Sequence, residues 1–264
     1  MEDKFLKELS IKRILSKRGV PPDILNEISE AIDQRIKAIT EAKPDRMHQN
    51  IASLIDHTLL VPHSSTNDIR QLCDQAKQYH FYSVCVNPSH IPLCKRLLAQ
   101  TDIKICTVIG FPLGSNTTAT KVFEAHDAES MGADEMDMVM NIGALKDRHY
   151  ELVKEDIANV VNATSNGIVT KVILENAYLT IEEKIVSCLL AEEAGADFVK
   201  TSTGFAPSGA TLEDVALMRL VAGEKMGVKA AGGIRDYRTG VKMLMAGATR
   251  IGASSSVKIV SGSY

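Results

Sequence analysis

Three charged side chains stand inside short apolar segments of this 264-residue chain, where burying a charge is costly and chemistry is a frequent reason for it. Side chains alternate between the two faces of a β-strand, so residues two apart share a face. Asp137 alternates with flanking methionines, and Lys200 and Lys229 alternate with adjacent valines. If helices cover the apolar faces, all three charges point into a common interior.

Two neighbouring lysines have a specific chemical use. A lysine with its ordinary pKa of about 10.4 is a neutral amine in only about one molecule in 2,500 at pH 7, so it attacks carbonyls poorly. A nearby cation and partial burial both lower the pKa of a lysine and free its amine to form a Schiff base. Either Lys200 or Lys229 fits this role, with Asp137 shuttling protons directly or through water. The alternative is a structural salt-bridge network of the same three residues.

Further polar residues share the predicted interior face. Lys171 lies on one face of its run with Glu175, which makes it a third interior lysine. Cys85 falls between Ser83 and Asn87 on the polar face of another run. The interior predicted from strand alternation is therefore unusually polar.

Eight short β-rich runs, each followed by a helix-length amphipathic segment, must position these residues. They are residues 51–57, 82–87, 104–110, 134–141, 168–175, 197–202, 228–232 and 248–252. Eight βα units predict an α/β fold that closes as a (β/α)8 TIM barrel. An open doubly wound sheet is the alternative, but it usually carries a phosphate loop after its first strand, and residues 55–58 contain no glycine.

Glycine-rich turns follow the last three runs, and three serines follow the last of them. Barrels of this kind often bind phosphate on the loops after strands seven and eight, and backbone N–H groups at a helix start are natural phosphate ligands. The expected phosphate site consists of Gly204, Gly232, Gly233, Ser254 and Ser255. The alternative is that these glycines only form tight turns.

Residues 1–45 have a different character and predict a helical extension ahead of a barrel domain at residues 46–264. Two short amphipathic helices fit the pattern, one carrying Leu6, Leu9 and Ile14 and one beginning at Pro21-Pro22-Asp23 with isoleucines at helical spacing. Lys43-Pro44-Asp45 ends the pattern. We expect the isoleucine face to pack on the barrel or on a second subunit.

Composition excludes several classes of protein. The net charge of −3 comes from interspersed charges without a basic stripe, so nucleic acid is not an expected partner. Five cysteines without CxxC spacing and seven scattered histidines argue against a disulfide framework and a metal site, and favour the reducing cytoplasm. The charged first residues and the lack of a long apolar run argue against a signal peptide and a membrane partner.

Taken in order, seven segments resemble the deoxyribose-phosphate aldolases, which are metal-independent class I aldolases on the (β/α)8 fold. The resemblance runs from about residue 51 to about residue 260. Its segments are Ile55-Asp-His-Thr-Leu, Val84-Cys-Val-Asn-Pro, Val108-Ile-Gly-Phe-Pro-Leu-Gly, Gly132-Ala-Asp-Glu-Met-Asp-Met-Val, Phe198-Val-Lys-Thr-Ser-Thr-Gly-Phe, Lys229-Ala-Ala-Gly-Gly-Ile-Arg and Gly252-Ala-Ser-Ser.

The resemblance implies reversible cleavage of 2-deoxy-D-ribose 5-phosphate to D-glyceraldehyde 3-phosphate and acetaldehyde in deoxynucleoside catabolism, without a cofactor. It makes Lys200 the Schiff-base lysine, Lys229 the lysine that perturbs it, and Asp137 the proton acceptor and donor. It also implies that Asp56 supports the proton network or a sugar hydroxyl, that Cys85 lines the pocket, and that the protein is a homodimer. Lys171 is reduced by the resemblance to a supporting residue, and a small core residue is the alternative for Cys85.

Two other functions compete with this interpretation. One is a Schiff-base barrel aldolase that acts on another phosphorylated sugar or keto acid. The other is a catalytically silent barrel that binds a sugar phosphate for regulation, which would need no paired interior lysines. Tyr264 ends the chain, and some family members use a C-terminal tyrosine in protonation, but the segment after Val260 is very short.

Overall fold

Eight parallel strands pair side by side and close on themselves in a computed structural model that describes residues 20–42 and 50–262. The strands are β1 Ile55–Leu59, β2 Ser83–Val86, β3 Lys104–Ile109, β4 Glu135–Val139, β5 Val169–Ile173, β6 Phe198–Lys200, β7 Gly227–Ala231 and β8 Arg250–Ala253. Each strand pairs with its neighbours in chain order, and β1 closes the barrel on β8 with Ile55 opposite Ile251. The predicted (β/α)8 TIM barrel is confirmed.

Ten helices belong to the described residues. They are α1 Pro22–Glu41, α2 Thr66–Tyr79, α3 Ile91–Leu97, α4 Thr118–Met131, α5 Ile142–Lys146, α6 Tyr150–Asn162, α7 Ile181–Glu193, α8 Leu212–Ala222, α9 Tyr237–Ala246 and α10 Ser256–Val260. Local sequence begins several of them: Ser65 and Thr180 form capping boxes with the acidic residue three positions on. None of these helices is both long and apolar enough to cross a membrane.

The first predicted strand begins later than the sequence indicates. Ile51–Leu54 form a 3₁₀ helix, and β1 starts at Ile55. The hydroxyl of Ser53 donates to the carbonyl oxygen of Asn50 at 2.9 Å, a local bond that competes with strand pairing. The apolar character of residues 51–54 therefore serves packing and not strand formation.

Strand β4 turns one face toward the apolar shell beneath the helices and the other toward the polar interior of the barrel. Met136 and Met138 are fully buried in the apolar shell beneath the helices, while Glu135 and Asp137 are buried on the opposite face. The alternation predicted for this strand is thus confirmed. Within this shell, Lys121 of α4 and Asp156 of α6 form a buried ion pair, with Nζ to Oδ2 at 2.5 Å.

Helix α1 packs against α8 and α9 on the outside of the barrel. Its buried face consists of Ile24, Ile28 and Ile39, as the isoleucine spacing predicts, and Arg35 donates to the carbonyl oxygen of Met245 at 3.3 Å. The other predicted helix, the boundary near residue 45 and Tyr264 lie outside the described residues. The division into extension and barrel domain therefore stays a prediction.

Candidate active site

A cavity of about 320 Å³ lies at the carboxyl ends of β1, β6, β7 and β8, where the active sites of barrel enzymes are built. Its walls come from the ends of these strands and from the loops that follow them. The lining residues are Thr58, Leu59, Leu60, Val61, Lys200, Thr203, Gly204, Phe205, Ala231, Gly232, Gly233, Ile234, Arg235, Gly252, Ala253 and Ser254.

Below the cavity, the carboxylate of Asp137 accepts hydrogen bonds from the side-chain amines of three lysines. Oδ2 of Asp137 accepts hydrogen bonds from Lys200 Nζ and Lys229 Nζ, both at 2.7 Å, and Oδ1 accepts one from Lys171 Nζ at 2.8 Å. All four residues are buried. Strand register explains the meeting, because Asp137 pairs with Lys171 across β4 and β5, and Lys200 pairs with Lys229 across β6 and β7.

A second layer of carboxylates surrounds the lysines. Lys171 also contacts Glu135 at 2.7 Å, and Lys229 contacts Asp56 at 2.5 Å. Arg250 bridges Asp56 and Glu135 at 2.8 and 3.1 Å. The interior cluster thus joins four cations (Lys171, Lys200, Lys229 and Arg250) to three carboxylates (Asp56, Glu135 and Asp137), which leaves a formal excess of one positive charge.

The electrostatics fix the ionisation of most of this cluster. Burial raises the pKa of Asp137, but Lys171, Lys200 and Lys229 outweigh burial and hold that pKa well below its usual value. Burial lowers the pKa of Lys229, and the carboxylates of Asp137 and Asp56 outweigh it, so the pKa of Lys229 lies above its usual value. The pKa of Lys171 is raised by the same balance of burial against Asp137.

The three lysines differ in what they can reach. Lys171 and Lys229 each contact two carboxylates and are sealed inside the barrel. Lys200 has one carboxylate partner, Asp137, and among the described residues it is the only lysine on the cavity wall. Among the three lysines of the cluster, only Lys200 can therefore meet a substrate in the cavity.

The loop after β6 is held by a buried carboxylate. Glu175 has a left-handed backbone (φ 58°) and accepts hydrogen bonds from Thr203 through the backbone N–H, at 3.2 Å to each carboxylate oxygen, and through the hydroxyl. Thr203 Oγ1 in turn accepts from the N–H of Phe205 at 3.0 Å. Burial raises the pKa of Glu175 against the opposing effect of these bonds. The Glu175–Thr203 clamp therefore shapes the wall that includes Gly204.

Glycines form the other end of the cavity. Gly204, Gly232 and Gly233 all have positive φ, between 80° and 88°, a conformation that other residues adopt rarely. A Cβ on Gly209 would lie 2.3 Å from the carbonyl oxygen of Gly232, so this close approach also requires glycine. Arg235 adds an exposed positive charge beside them. Backbone groups, the Ser254 hydroxyl and this guanidinium make the end suited to an anion.

The residues that the sequence predicts for the site fall into two main groups, one on the cavity wall and one in the charged cluster below it. Lys200, Gly204, Gly232, Gly233 and Ser254 line the cavity, and Asp137, Lys229, Lys171 and Asp56 lie in the cluster below it. Ser255 does not line the cavity, although its neighbour Ser254 does, and its contact with phosphate stays a prediction. Cys85 is fully buried in an apolar cluster with Leu60, Cys106 and Val108, which favours the core-residue interpretation. The individual roles stay predictions.

Sequence reasoning missed four residues around the site. Glu135 and Arg250 complete the cluster, and strand alternation could have found both, because Glu135 shares a face with Asp137 and Arg250 shares one with Gly252. Arg235 lies two residues after the paired glycines. The role of Glu175 carries no sequence signal, since it depends on a turn after β5.

Two groups of thiols and carboxylates lie close enough together to be considered for a metal ion. They are Cys85, Cys106 and Asp137, and Asp56, Cys106 and Glu135, with ligand atoms within 4.8 Å of one another. Their carboxylates already contact Lys171, Lys200, Lys229 and Arg250. A divalent cation would be repelled by a cluster that has an excess of positive charge.

The fold and the cavity define the class of protein: a (β/α)8 barrel with a buried lysine presented to a cavity at the carboxyl ends of its strands. Comparison with known proteins specifies the family. The model of the family described as "DeoC/LacD family aldolase" matches residues 50–262. This chain belongs to that family.

Individual relatives agree with the family match. A deoxyribose-phosphate aldolase from Thermococcus gammatolerans is 59% identical over 216 residues, covering 81% of this chain and 96% of the relative. The solved structure of a deoxyribose phosphate aldolase from Aeropyrum pernix, described as tetrameric, superposes with a TM-score of 0.76 at 34% identity and covers 88% of this chain and 96% of its own. A Coccidioides immitis protein assigned to the same enzymes gives 0.80 at 40% identity, covering 89% and 96%.

Proposed function

We propose that this protein is a class I deoxyribose-phosphate aldolase that reversibly cleaves 2-deoxy-D-ribose 5-phosphate to D-glyceraldehyde 3-phosphate and acetaldehyde through a Schiff base on Lys200. The observation that carries the proposal is the position of Lys200, which faces the cavity while its Nζ lies 2.7 Å from Asp137. The substrate is supported by the relatives, several of which are named deoxyribose-phosphate aldolases at 55–59% identity. The reaction is a step in deoxynucleoside catabolism.

The amine of Lys200 begins the reaction by adding to the C1 aldehyde of the open-chain sugar, and loss of water gives a protonated imine. The 3-hydroxyl then loses its proton, the C2–C3 bond breaks, and its electron pair moves into the imine to form an enamine. Glyceraldehyde 3-phosphate leaves. The enamine takes a proton at C2, and water hydrolyses the resulting imine to acetaldehyde and free Lys200.

Asp137 moves the protons in this scheme, directly or through water. Three lysines hold the pKa of Asp137 well below its usual value, so the carboxylate is ionised before substrate arrives. Formation of the neutral enamine removes the positive charge of Lys200 and leaves Lys171 and Lys229 as its cationic partners. Asp137 is a stronger base at that stage, which is when the bond cleavage has released a proton.

Lys229 and Lys171 act as fixed cations. Lys229 stays charged because Asp137 and Asp56 raise its pKa above the usual value. Asp56 supports this arrangement from below the cavity, through Lys229 and Arg250. The phosphate of the substrate rests at the far end of the cavity, on Gly204, Gly232, Gly233 and Ser254, with Arg235 beside them.

Borohydride trapping tests the Schiff base. Reduction in the presence of acetaldehyde should leave an ethyl group on Lys200, located by intact mass and peptide mapping, and no adduct should form without acetaldehyde. Lys200→Arg, which keeps the positive charge but lacks a reactive amine, is the matched control and should give no adduct. An ethyl group on Lys171 or Lys229 in the wild-type protein would refute the assigned roles, and complete absence of an adduct would favour a sugar-phosphate-binding barrel.

The partner and location of the protein complete the proposal. The substrate is a small phosphorylated sugar, and we propose a cytoplasmic homodimer. A dimer predicts a single species of about twice the chain mass of 28.7 kDa in light scattering after size-exclusion chromatography. A tetramer, as described for the Aeropyrum pernix structure, would contradict the dimer without affecting the catalytic scheme.

A further inference from the structure

His57 is a buried polar residue that the catalytic scheme does not use. It follows Asp56 in β1, so its side chain points away from the barrel interior toward the helices. The residue is only 3% exposed, and its ring packs against Phe81 with centroids 4.9 Å apart. Burial lowers the pKa of His57, against the opposing effect of its hydrogen bond to Gln75.

Both ring nitrogens of His57 are engaged. Nε2 lies 2.8 Å from Oε1 of Gln75 in α2, and Nδ1 lies 3.0 Å from the hydroxyl of Ser256 at the start of α10. The Ser256 hydroxyl also lies 2.8 Å from the carbonyl oxygen of Ala253 and donates to it. A single hydroxyl therefore joins the imidazole to the end of β8, and Ser256 is fully buried.

This chain of contacts ends at the cavity wall. Gly252, Ala253 and Ser254 all line the cavity, at the end where the glycine loops lie. His57 and Ala253 are also register partners in the pairing of β1 with β8. The hydrogen bonds of His57 and Ser256 thus add a second connection, beyond the strand pairing, between β1 and the end of β8, where the chain enters the loop.

We propose that His57 and Ser256 are positioning residues that hold residues 252–254 in the shape that receives the substrate phosphate, an inference that rests on the proposed function. Neither residue touches the substrate or the lysines. Their loss should weaken recognition of the phosphate and leave the chemistry at Lys200 intact, because Lys200 is held by a separate set of contacts with Asp137.

Three variants isolate the contact. Ser256→Ala removes the bridging hydroxyl, Ser256→Thr retains it, and His57→Phe keeps a ring beside Phe81 but removes both hydrogen bonds. Ser187→Ala is the matched control, because Ser187 is also fully buried but donates to Glu183 within α7, away from the cavity. Each variant is assayed with 2-deoxyribose 5-phosphate, and inorganic phosphate serves as a competing ligand.

A second reaction reports on the chemistry without phosphate. Acetaldehyde in deuterated water should exchange its methyl protons through the Lys200 enamine, and this exchange requires no phosphate site. We expect Ser256→Ala and His57→Phe to lower kcat/KM for 2-deoxyribose 5-phosphate about tenfold, chiefly through KM, and to raise the inhibition constant of inorganic phosphate by a similar factor. The exchange rate should stay within about twofold, and Ser256→Thr and Ser187→Ala should resemble the wild type.

The outcomes separate the two proposals. An equal loss of cleavage and exchange, or no loss of either, would overturn the positioning role, as would a failure of Ser256→Thr to restore the wild-type KM. If the wild-type protein exchanges acetaldehyde but inorganic phosphate does not compete with the sugar phosphate, the phosphate site itself is wrong and the inference falls with it. If the wild-type protein neither exchanges acetaldehyde nor cleaves the sugar, the proposed function fails.

Discussion

The Glu175–Thr203 clamp allows the rigidity of the cavity wall to be measured as a coupling free energy. Glu175→Gln keeps the shape of the side chain but replaces one accepting oxygen by an amide, and Thr203→Val removes the hydroxyl while keeping the backbone N–H. Thr203→Val removes the hydrogen bond from the Thr203 hydroxyl to the buried carboxylate, and Glu175→Gln weakens that bond by replacing the charged acceptor with a neutral amide. Glu193→Gln on the exposed surface of α7 is the matched control.

The magnitude follows from the contacts. A hydrogen bond to a charged group contributes about 1.5–3 kcal/mol, so each single variant should lower the free energy of unfolding by about 1–2 kcal/mol. Since the two residues share the bond, the double variant should lose little more than either single variant, which corresponds to a coupling of about 1 kcal/mol. The freed loop carries Gly204 and Phe205, so KM for the sugar phosphate should rise about fivefold in Glu175→Gln.

Urea unfolding of the four proteins of the cycle measures the coupling, and steady-state kinetics on the same samples measure KM. The surface control should change neither quantity by more than about 0.5 kcal/mol or its kinetic equivalent. Additive single losses, with a coupling below about 0.3 kcal/mol, would refute the clamp, because the two side chains would then act independently.

Two further predictions concern the buried charges. Lys121→Met should lower the free energy of unfolding in urea by about 3–5 kcal/mol, because it leaves Asp156 without its cationic partner. Adding Asp156→Leu should recover most of this loss. Equal instability of the single and double variants would contradict the prediction. The lowered pKa values of Asp56 and Asp137 stabilise the fold fully above their unfolded pKa of about 3.9, and this stabilisation is lost as pH falls toward their native pKa values. The free energy of unfolding should therefore decline below about pH 4, and a constant value from pH 7 to pH 3 would exclude the effect.

Strand alternation was sufficient to predict which charges enter the barrel. Asp137, Lys171, Lys200 and Lys229 all lie inside, because a period of two assigns each side chain to a face without knowledge of the tertiary structure. The order of eight βα units likewise predicted the closed barrel. These features depend on local sequence alone.

Strand alternation could not predict the position of each residue along the barrel axis. Ile173, not Lys171, is the register partner of Lys200, so Lys171 lies two residues below that level. Lys229 pairs with Lys200 but is turned toward Asp56. Which lysine reaches the cavity therefore depends on strand register, and register depends on pairings between distant segments.

Because the barrel closes between its first and last strands, its interior can be completed only late in protein synthesis. Asp56 of β1 pairs with Lys229 of β7 and with Arg250 of β8, and Arg250 lies 194 residues later in the sequence. At synthesis rates of about 5–20 residues per second, the aspartate emerges about 10–40 s before its guanidinium partner exists. Until its partners exist, the carboxylate must remain hydrated, so a nascent chain can assemble its outer helices early, whereas the complete interior cluster of charges forms only after translation has passed Arg250.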